Sequence, residues 1–308
     1  MANWRDLFTL YRNRSKVSCF DMAIMLTRGS PLGLAALLSH VHLRNGVVTA
    51  ASQADKASKP VMGQIRCVPG RRNAQLTFLY PENAYDSPAL PLLLDGLAHQ
   101  AGLGGSFGVL AEVDELDPVF ETLRRCGYSV YGWQRVYRLP FNGHLETYPP
   151  DLWRFAGAED ELSIRQLFQA LVPPLAQAAD PLSPGRLFGL LHQVNGQTLA
   201  YVESNYGPDG IYLRPLIHPN VNNIQALLSN LEYRLLPLHG RKVYMTVRSH
   251  QSWLENPLMQ MDAEAADRQA LMVKHLSTVQ RKPLPAVTRS MVEDGAAKPT
   301  ARVKPSRG

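Results

Sequence analysis

A strand that stops at a proline, an apolar helix behind it and then a second strand occur twice in this chain. No other feature narrows the possible folds as much. The first copy is Gln75-Leu-Thr-Phe-Leu-Tyr80 before Pro81, a helix from about Leu90 to Gln100, and a strand from Phe107 to Val113. The second is Ile211 to His218 before Pro219, a helix from about Asn222 to Leu238, and a strand from Lys242 to Val247. Pro81 precedes Phe107 by 26 residues and Pro219 precedes Val243 by 24. A strand, a helix and a strand joined in this way form a parallel crossover, so two copies of one mixed α/β sheet are expected.

The elements around each crossover follow from local signals. Ser30-Pro31 caps a helix running to about His40, and Gly46–Ala51 and Val61–Val68 read as antiparallel strands. Pro118 to Gly127 is a short helix that stops at its glycine. Tyr128 to Leu139 is a strand that would place Tyr131, Trp133 and Tyr137 on one face. In the second half, Trp153–Ala156 is a strand, Leu162–Val172 a helix, and Thr198–Ser204 a strand, while Ser183-Pro184 caps a helix to Val194. Pro215, inside a strand, points to a bulge or an edge. Three prolines and a glycine between Leu139 and Pro150 mark a linker. The expected organisation is therefore a domain over 1–140, a linker over 141–150, a second domain over 151–278 and a disordered basic tail over 279–308.

Charge and cysteine usage exclude several function classes. The 308 residues carry a net charge of +6, but Arg281 to Gly308 holds seven Lys/Arg and two Asp/Glu, so the rest is almost neutral. That tail has no aromatic residue to stack on bases, which argues against nucleic acid as a partner. Cys19, Cys67 and Cys126 are too scattered for a disulfide framework or a metal site. Pro91 to Val113, the most apolar long window, contains Asp95, His99, Glu112 and five glycines, so no membrane span is expected. No signal peptide is visible near the charged start. The expected setting is cytoplasmic and reducing.

Four groups of residues carry a family resemblance. They are Leu76-Thr-Phe-Leu-Tyr-Pro81 with the Leu-rich helix after it, Phe107-Gly-Val-Leu-Ala-Glu-Val113, Phe120-x-x-Leu-x-x-x-Gly-Tyr128, and Leu216-Ile-His-Pro219 with Leu227-Leu228 beyond. Together they resemble the GNAT (Gcn5-related N-acetyltransferase) superfamily, in tandem. The resemblance implies that acetyl-CoA or another acyl-CoA is the co-substrate and that a small-molecule or peptide amine is the acceptor. In that family the two central parallel strands splay apart. The pantetheine arm lies in the gap as an extra strand would, with the pyrophosphate at the next helix N-terminus.

Carried onto this chain, the cofactor residues are Leu79, Tyr80, Ala84, Tyr85, Asp86, Ser87 and Ala89. The family's R/Q-x-x-G-x-G/A pattern falls on Ala84, Ser87 and Ala89, of which only Ala89 matches, and Pro88 removes a donor. The second-half loop, Asn220 to Ala226, is shorter and lacks glycine, so cofactor binding is expected in the first half alone. The tyrosine that protonates the departing thiolate in many members is replaced by Leu123, and in the second half by a position near Leu258. Glu82, Glu112 and Asp114 are candidate proton acceptors at strand ends. His218 is expected to end its strand rather than to act chemically. An acyltransferase and a degenerate GNAT-like module that binds acyl-CoA or a protein partner are both open.

Overall fold

The computed structural model describes residues 12, 16–30, 46–55, 59–140, 151–182, 187–235 and 240–276. The helix expected at Pro31–His40, the linker and the tail lie outside these residues. The first half contains β1 (Ser18–Cys19), α1 (Met22–Arg28), β2 (Val47–Ser52), β3 (Val61–Arg66), β4 (Ala74–Tyr80), α2 (Leu90–Leu103), β5 (Gly108–Asp114), α3 (Val119–Arg125) and β6 (Ser129–Leu139). The second contains β7 (Arg154–Phe155), α4 (Glu161–Leu171), α5 (Pro174–Ala179), β8 (Gly189–Val194), β9 (Gln197–Tyr206), β10 (Gly210–Ile217), α6 (Ile224–Leu235), β11 (Lys242–Arg248), α7 (Glu255–Gln260) and β12 (Glu264–His275).

Apolar spacing explains the two central helices. In α2, Leu90, Leu93, Leu94, Leu97, Ala98 and Ala101 recur at helical intervals and are all buried. They pack on Leu76, Val109 and Ala111 of the sheet. Gly63 on β3 permits this close seating, since a Cβ there would lie 2.9 Å from Leu79 and 3.0 Å from Leu97. In α6, Leu227, Leu228, Leu231 and Leu235 serve the same purpose against Ile211, Leu213 and Val243. On β9, Ala200 and Val202 join that cluster, while Tyr201 points the other way onto Ile164 and Phe168 of α4.

The sheet has the order β2-β3-β4-β5-β12-β6-β11-β10-β9-β8-β7. In each half the central pair is parallel, β4 with β5 and β10 with β11, as the crossover spacing requires. The last strand of each half crosses over. β6 pairs with β11 of the second half, and β12 pairs with β5 of the first, so the sheet runs unbroken from one copy to the other.

Three expectations need correction. Gly189–Val194 is a strand hairpinned to β9, not the end of a helix, because Asn195 and Gly196 both adopt positive φ and form the turn that pairs the two strands. Pro215 sits in regular register opposite Val202, and the bulge lies instead in β4, where Gln64 and Ile65 pair with Phe78 and Leu76 and skip Thr77. A register shift at Tyr131 turns it away from Trp133, which packs on the α2–α3 side, so those two aromatics lie on opposite faces.

Candidate functional site

The first splay opens after Gln75, since β4 and β5 pair only at Ala74↔Val109 and Gln75↔Leu110. Into the gap comes the chain's own N-terminal segment. β1 pairs antiparallel with β4, Ser18 opposite Leu79 and Cys19 opposite Phe78. The Phe20 N–H donates to the Thr77 carbonyl at 3.0 Å, and the Phe20 carbonyl accepts from the Glu112 N–H at 3.1 Å. Gln75 Nε2 adds a third bond, to the Phe20 carbonyl at 2.6 Å. The Phe20 ring is 1% exposed, in the core formed with Ala89, Leu90 and Leu94. This segment makes, from both strand edges, the backbone bonds that a pantetheine arm would make.

The anion end of the expected groove is similarly committed. Ala84–Asp86 is a 3₁₀ turn. The N–H groups of Ala84, Asp86, Ser87 and Leu90 donate to the carbonyls of Pro81, Asn83, Ala84 and Ser87, and that of Ala89 donates to Ser87 Oγ. Pro88 and Pro91 have no N–H to offer. A groove of about 590 Å³ does run beside this turn, lined by Asp86, Asp95 and Arg125, with Asp95 paired to Lys274 Nζ at 2.5 Å. Of the seven expected cofactor residues, Leu79, Ala84 and Ala89 are buried, and Tyr85, Asp86 and Ser87 reach the groove.

The second splay is closed differently. β10 and β11 pair from Gly210↔Lys242 to Leu213↔Met245 and then part. Beyond that point Gln251, 2% exposed on the 3₁₀ segment Ser249–Leu254, turns its side-chain amide onto β10. Its Oε1 accepts the Ile217 N–H at 2.9 Å and its Nε2 donates to the Pro215 carbonyl at 2.9 Å. Pro215 has no N–H to present to the gap, which is why a proline is tolerated in this strand. The space left is about 20 Å³, enough for one water. His250 lines it, its pKa pushed down to about 4 by burial and by Arg248. His218 keeps a local role, its Nδ1 accepting the Asn220 N–H at 3.1 Å.

Acyl-CoA therefore does not fit the residues present in either half. The facing edges of both splays are hydrogen-bonded within the chain, and so are the amides of Ala84, Asp86, Ser87, Ala89 and Leu90 in the first-half loop.

A larger cavity lies elsewhere, on the sheet face opposite α2 and α6, with a volume of about 720 Å³. Alternation along the strands brings Arg66, Thr77, Glu112 and Arg214 to it from β3, β4, β5 and β10. Asp21 caps α1 by accepting the Ile24 N–H at 3.1 Å, and pairs with Arg66 at 2.7 Å. Glu112 Oε2 accepts the Met22 N–H at 2.8 Å. Burial, and then the nearby Asp21 carboxylate, push the Glu112 pKa up to about 7 despite that bond. Burial alone would raise Asp180 too, but Arg214 at 2.8 Å and Arg248 at 2.5 Å outweigh it and hold this carboxyl well below its usual range.

Of the three carboxyls singled out in the sequence, only Glu112 reaches this cavity. Asp114 accepts the Leu116 N–H at 2.9 Å, and Glu82 offers its carbonyl to Ser18 Oγ. Leu123 and Leu258 are buried and supply no proton. Asp21, Asp180, Arg214 and Gln251 escaped the sequence reading; Pro215 was the one local sign of an unusual gap beside β10.

No protein-family model and no curated protein sequence matches the chain. Solved structures do. A functionally unknown conserved protein from Staphylococcus epidermidis matches with 11% identity, 78% of this chain and 98% of that one, at a TM-score of 0.50. A GCN5-related N-acetyltransferase from Kribbella flavida shares 13% identity over 80% of this chain and 95% of its own, at 0.48. A tandem GNAT protein from the clavulanic acid biosynthesis pathway shares 14% over 76% and 84%, at 0.47. At these identities the likeness is one of fold. The chain has a mixed α/β architecture built on two strand–helix–strand crossovers, each with a splayed parallel pair. No helix among the described residues is long and apolar enough to cross a membrane.

Proposed function

We propose that this chain is a GNAT-like binding module rather than a working acyltransferase, with its ligand taken in the central cavity and not in either splay. One observation carries the reading: Ser18–Phe20 and Gln251 make the hydrogen bonds that an acyl-CoA would need. Fold alone does not bring activity, and here the recognition surface has been turned to internal use. The unpaired thiols of Cys19, Cys67 and Cys126 suit a reducing, cytoplasmic setting. Calorimetric titration with acetyl-CoA is the test. No saturable heat is expected, whereas one-site binding would overturn the reading.

Transfer of an acyl group from CoA to an amine is the second reading, and Glu112 favours it. A partly buried carboxyl with a pKa near 7 suits a base for an ammonium acceptor. That chemistry requires β1 to leave the first splay. Release of free thiol from acetyl-CoA in the presence of an amine panel would establish it.

A further inference from the structure

The wall of the central cavity holds polar atoms with nothing to bind. Most polar heads on this face are engaged. Gln64 Nε2 donates to Thr49 Oγ1 at 3.0 Å, Gln75 Nε2 to the Phe20 carbonyl at 2.6 Å, and the Met22 N–H to Glu112 at 2.8 Å. Two buried atoms of the same wall have no partner among the described residues, Thr77 Oγ1 and Arg66 Nε. Thr77 is 2% exposed, and a buried hydroxyl without a partner is destabilising, so its retention on an internal wall calls for an explanation.

The local structure shows how the two come together. The bulge that skips Thr77 takes it out of the β3–β4 register. Arg66 lies opposite Gln75, two residues from Thr77 on the same face. Asp21 fixes the guanidinium through Nη2 and leaves Nε–H unused. Arg66 Nε–H can only donate, so its missing partner is an acceptor, and the Thr77 hydroxyl, which can donate or accept, can turn its O–H onto the same group. The charge balance agrees, because four arginines (Arg28, Arg66, Arg71 and Arg214) line the cavity against three carboxyls (Asp21, Glu112 and Asp180). Leu110, Tyr131 and Tyr212 supply apolar and aromatic surface beside them.

We propose that the cavity is a binding site for a small organic carboxylate, its two oxygens taking the Arg66 Nε–H and the Thr77 hydroxyl and its apolar body resting on the tyrosines. A planar carboxylate offers two acceptors to two donors, and a charge-assisted bond to a guanidinium is stronger than a neutral one. The site goes beyond the preceding reading and is independent of CoA. A chain that binds acetyl-CoA yet seats a carboxylate keeps this inference and loses the earlier one.

The test is calorimetric titration of the full chain with benzoate, alongside the neutral isostere benzamide and inorganic phosphate, followed by thermal unfolding with and without benzoate. Saturable one-site binding of benzoate, a raised Tm in its presence and no binding of benzamide are expected. Thr77→Val keeps the shape and removes the hydroxyl, while Arg66→Lys keeps the charge and removes Nε–H. Each should weaken benzoate by about tenfold, the worth of one hydrogen bond to a charged group. Absence of both heat and a Tm shift in the unaltered chain would overturn the site. So would equal binding of benzamide, tighter binding of phosphate, or unchanged affinity in both variants.

Discussion

Replacing Gln251 with Leu isolates the closure of the second splay. The change nearly preserves side-chain volume but removes both partners of β10, leaving the Ile217 N–H and the Pro215 carbonyl unpaired. Gln251 is 2% exposed, so solvent does not replace it directly. An unsatisfied buried backbone group costs about 1–3 kcal/mol, which gives about 2–6 kcal/mol for the pair. A water entering from the adjoining space of about 20 Å³ would satisfy one group at most, which would leave about 1–3 kcal/mol for the other. Gln251→Glu should also destabilise, because a carboxylate accepts from Ile217 but has no donor for Pro215. Urea denaturation followed by tryptophan fluorescence measures the difference. A loss below about 0.5 kcal/mol for Gln251→Leu, the scale of a neutral surface change, would refute the assignment of Gln251 to the splay.

Other expectations concern the first splay and the charged wall. Phe20→Ala should destabilise by about 3–5 kcal/mol, since it opens a cavity in the core beneath α2; a surface-sized effect in the same denaturation assay would mean that β1 is not seated. Asp180→Asn removes the carboxylate shared by Arg214 and Arg248 and should cost about 3–5 kcal/mol, measured by thermal and urea unfolding. Glu112 sets a pH dependence: with its folded pKa raised from 4.5 to about 7, the folded state holds a proton that the unfolded state has lost, so its contribution weakens stability as pH rises through that window. His250, lowered to about 4, acts in the opposite sense below pH 6.5, so the difference between the unaltered chain and Glu112→Gln is the quantity to plot, and a flat difference would be the contrary result.

The sequence shows its local signals well and its long-range choices poorly. The stripe of leucines in α2 and the glycine after α3 are local, and both helices lie within a few residues of their expected ends. The parallel pairing of β4 with β5 and of β10 with β11 followed from crossover spacing, a property of consecutive residues. β12 has no such signature. It begins Glu264-Ala-Ala-Asp-Arg-Gln, and Ala270–Val273 is buried because β5 and β6 flank it on both sides. The exchange of β6 and β12 between the halves is likewise invisible, since either pairing uses the same strands.

The Ser183-Pro184 cap suggested a helix where Gly189–Val194 pairs with β9, although Asn195-Gly196 is a hairpin turn written in the sequence. For the site, Glu112 was legible as a carboxyl near a strand end. Its partners were not, because Asp21 and Asp180 meet the wall only through tertiary packing, and a strand as short as β1 has no periodicity to read.

Amide hydrogen exchange tests most directly whether the chain fills its own splays. The amides of Phe20, Glu112 and Ile217 all donate across the two gaps. With the gaps closed from within, all three should exchange as slowly as the β4 and β10 ladders, and millimolar acetyl-CoA should leave their rates unchanged. Exchange at the rate of a frayed terminus, or a loss of protection at Phe20 and Glu112 on adding acetyl-CoA, would contradict the account.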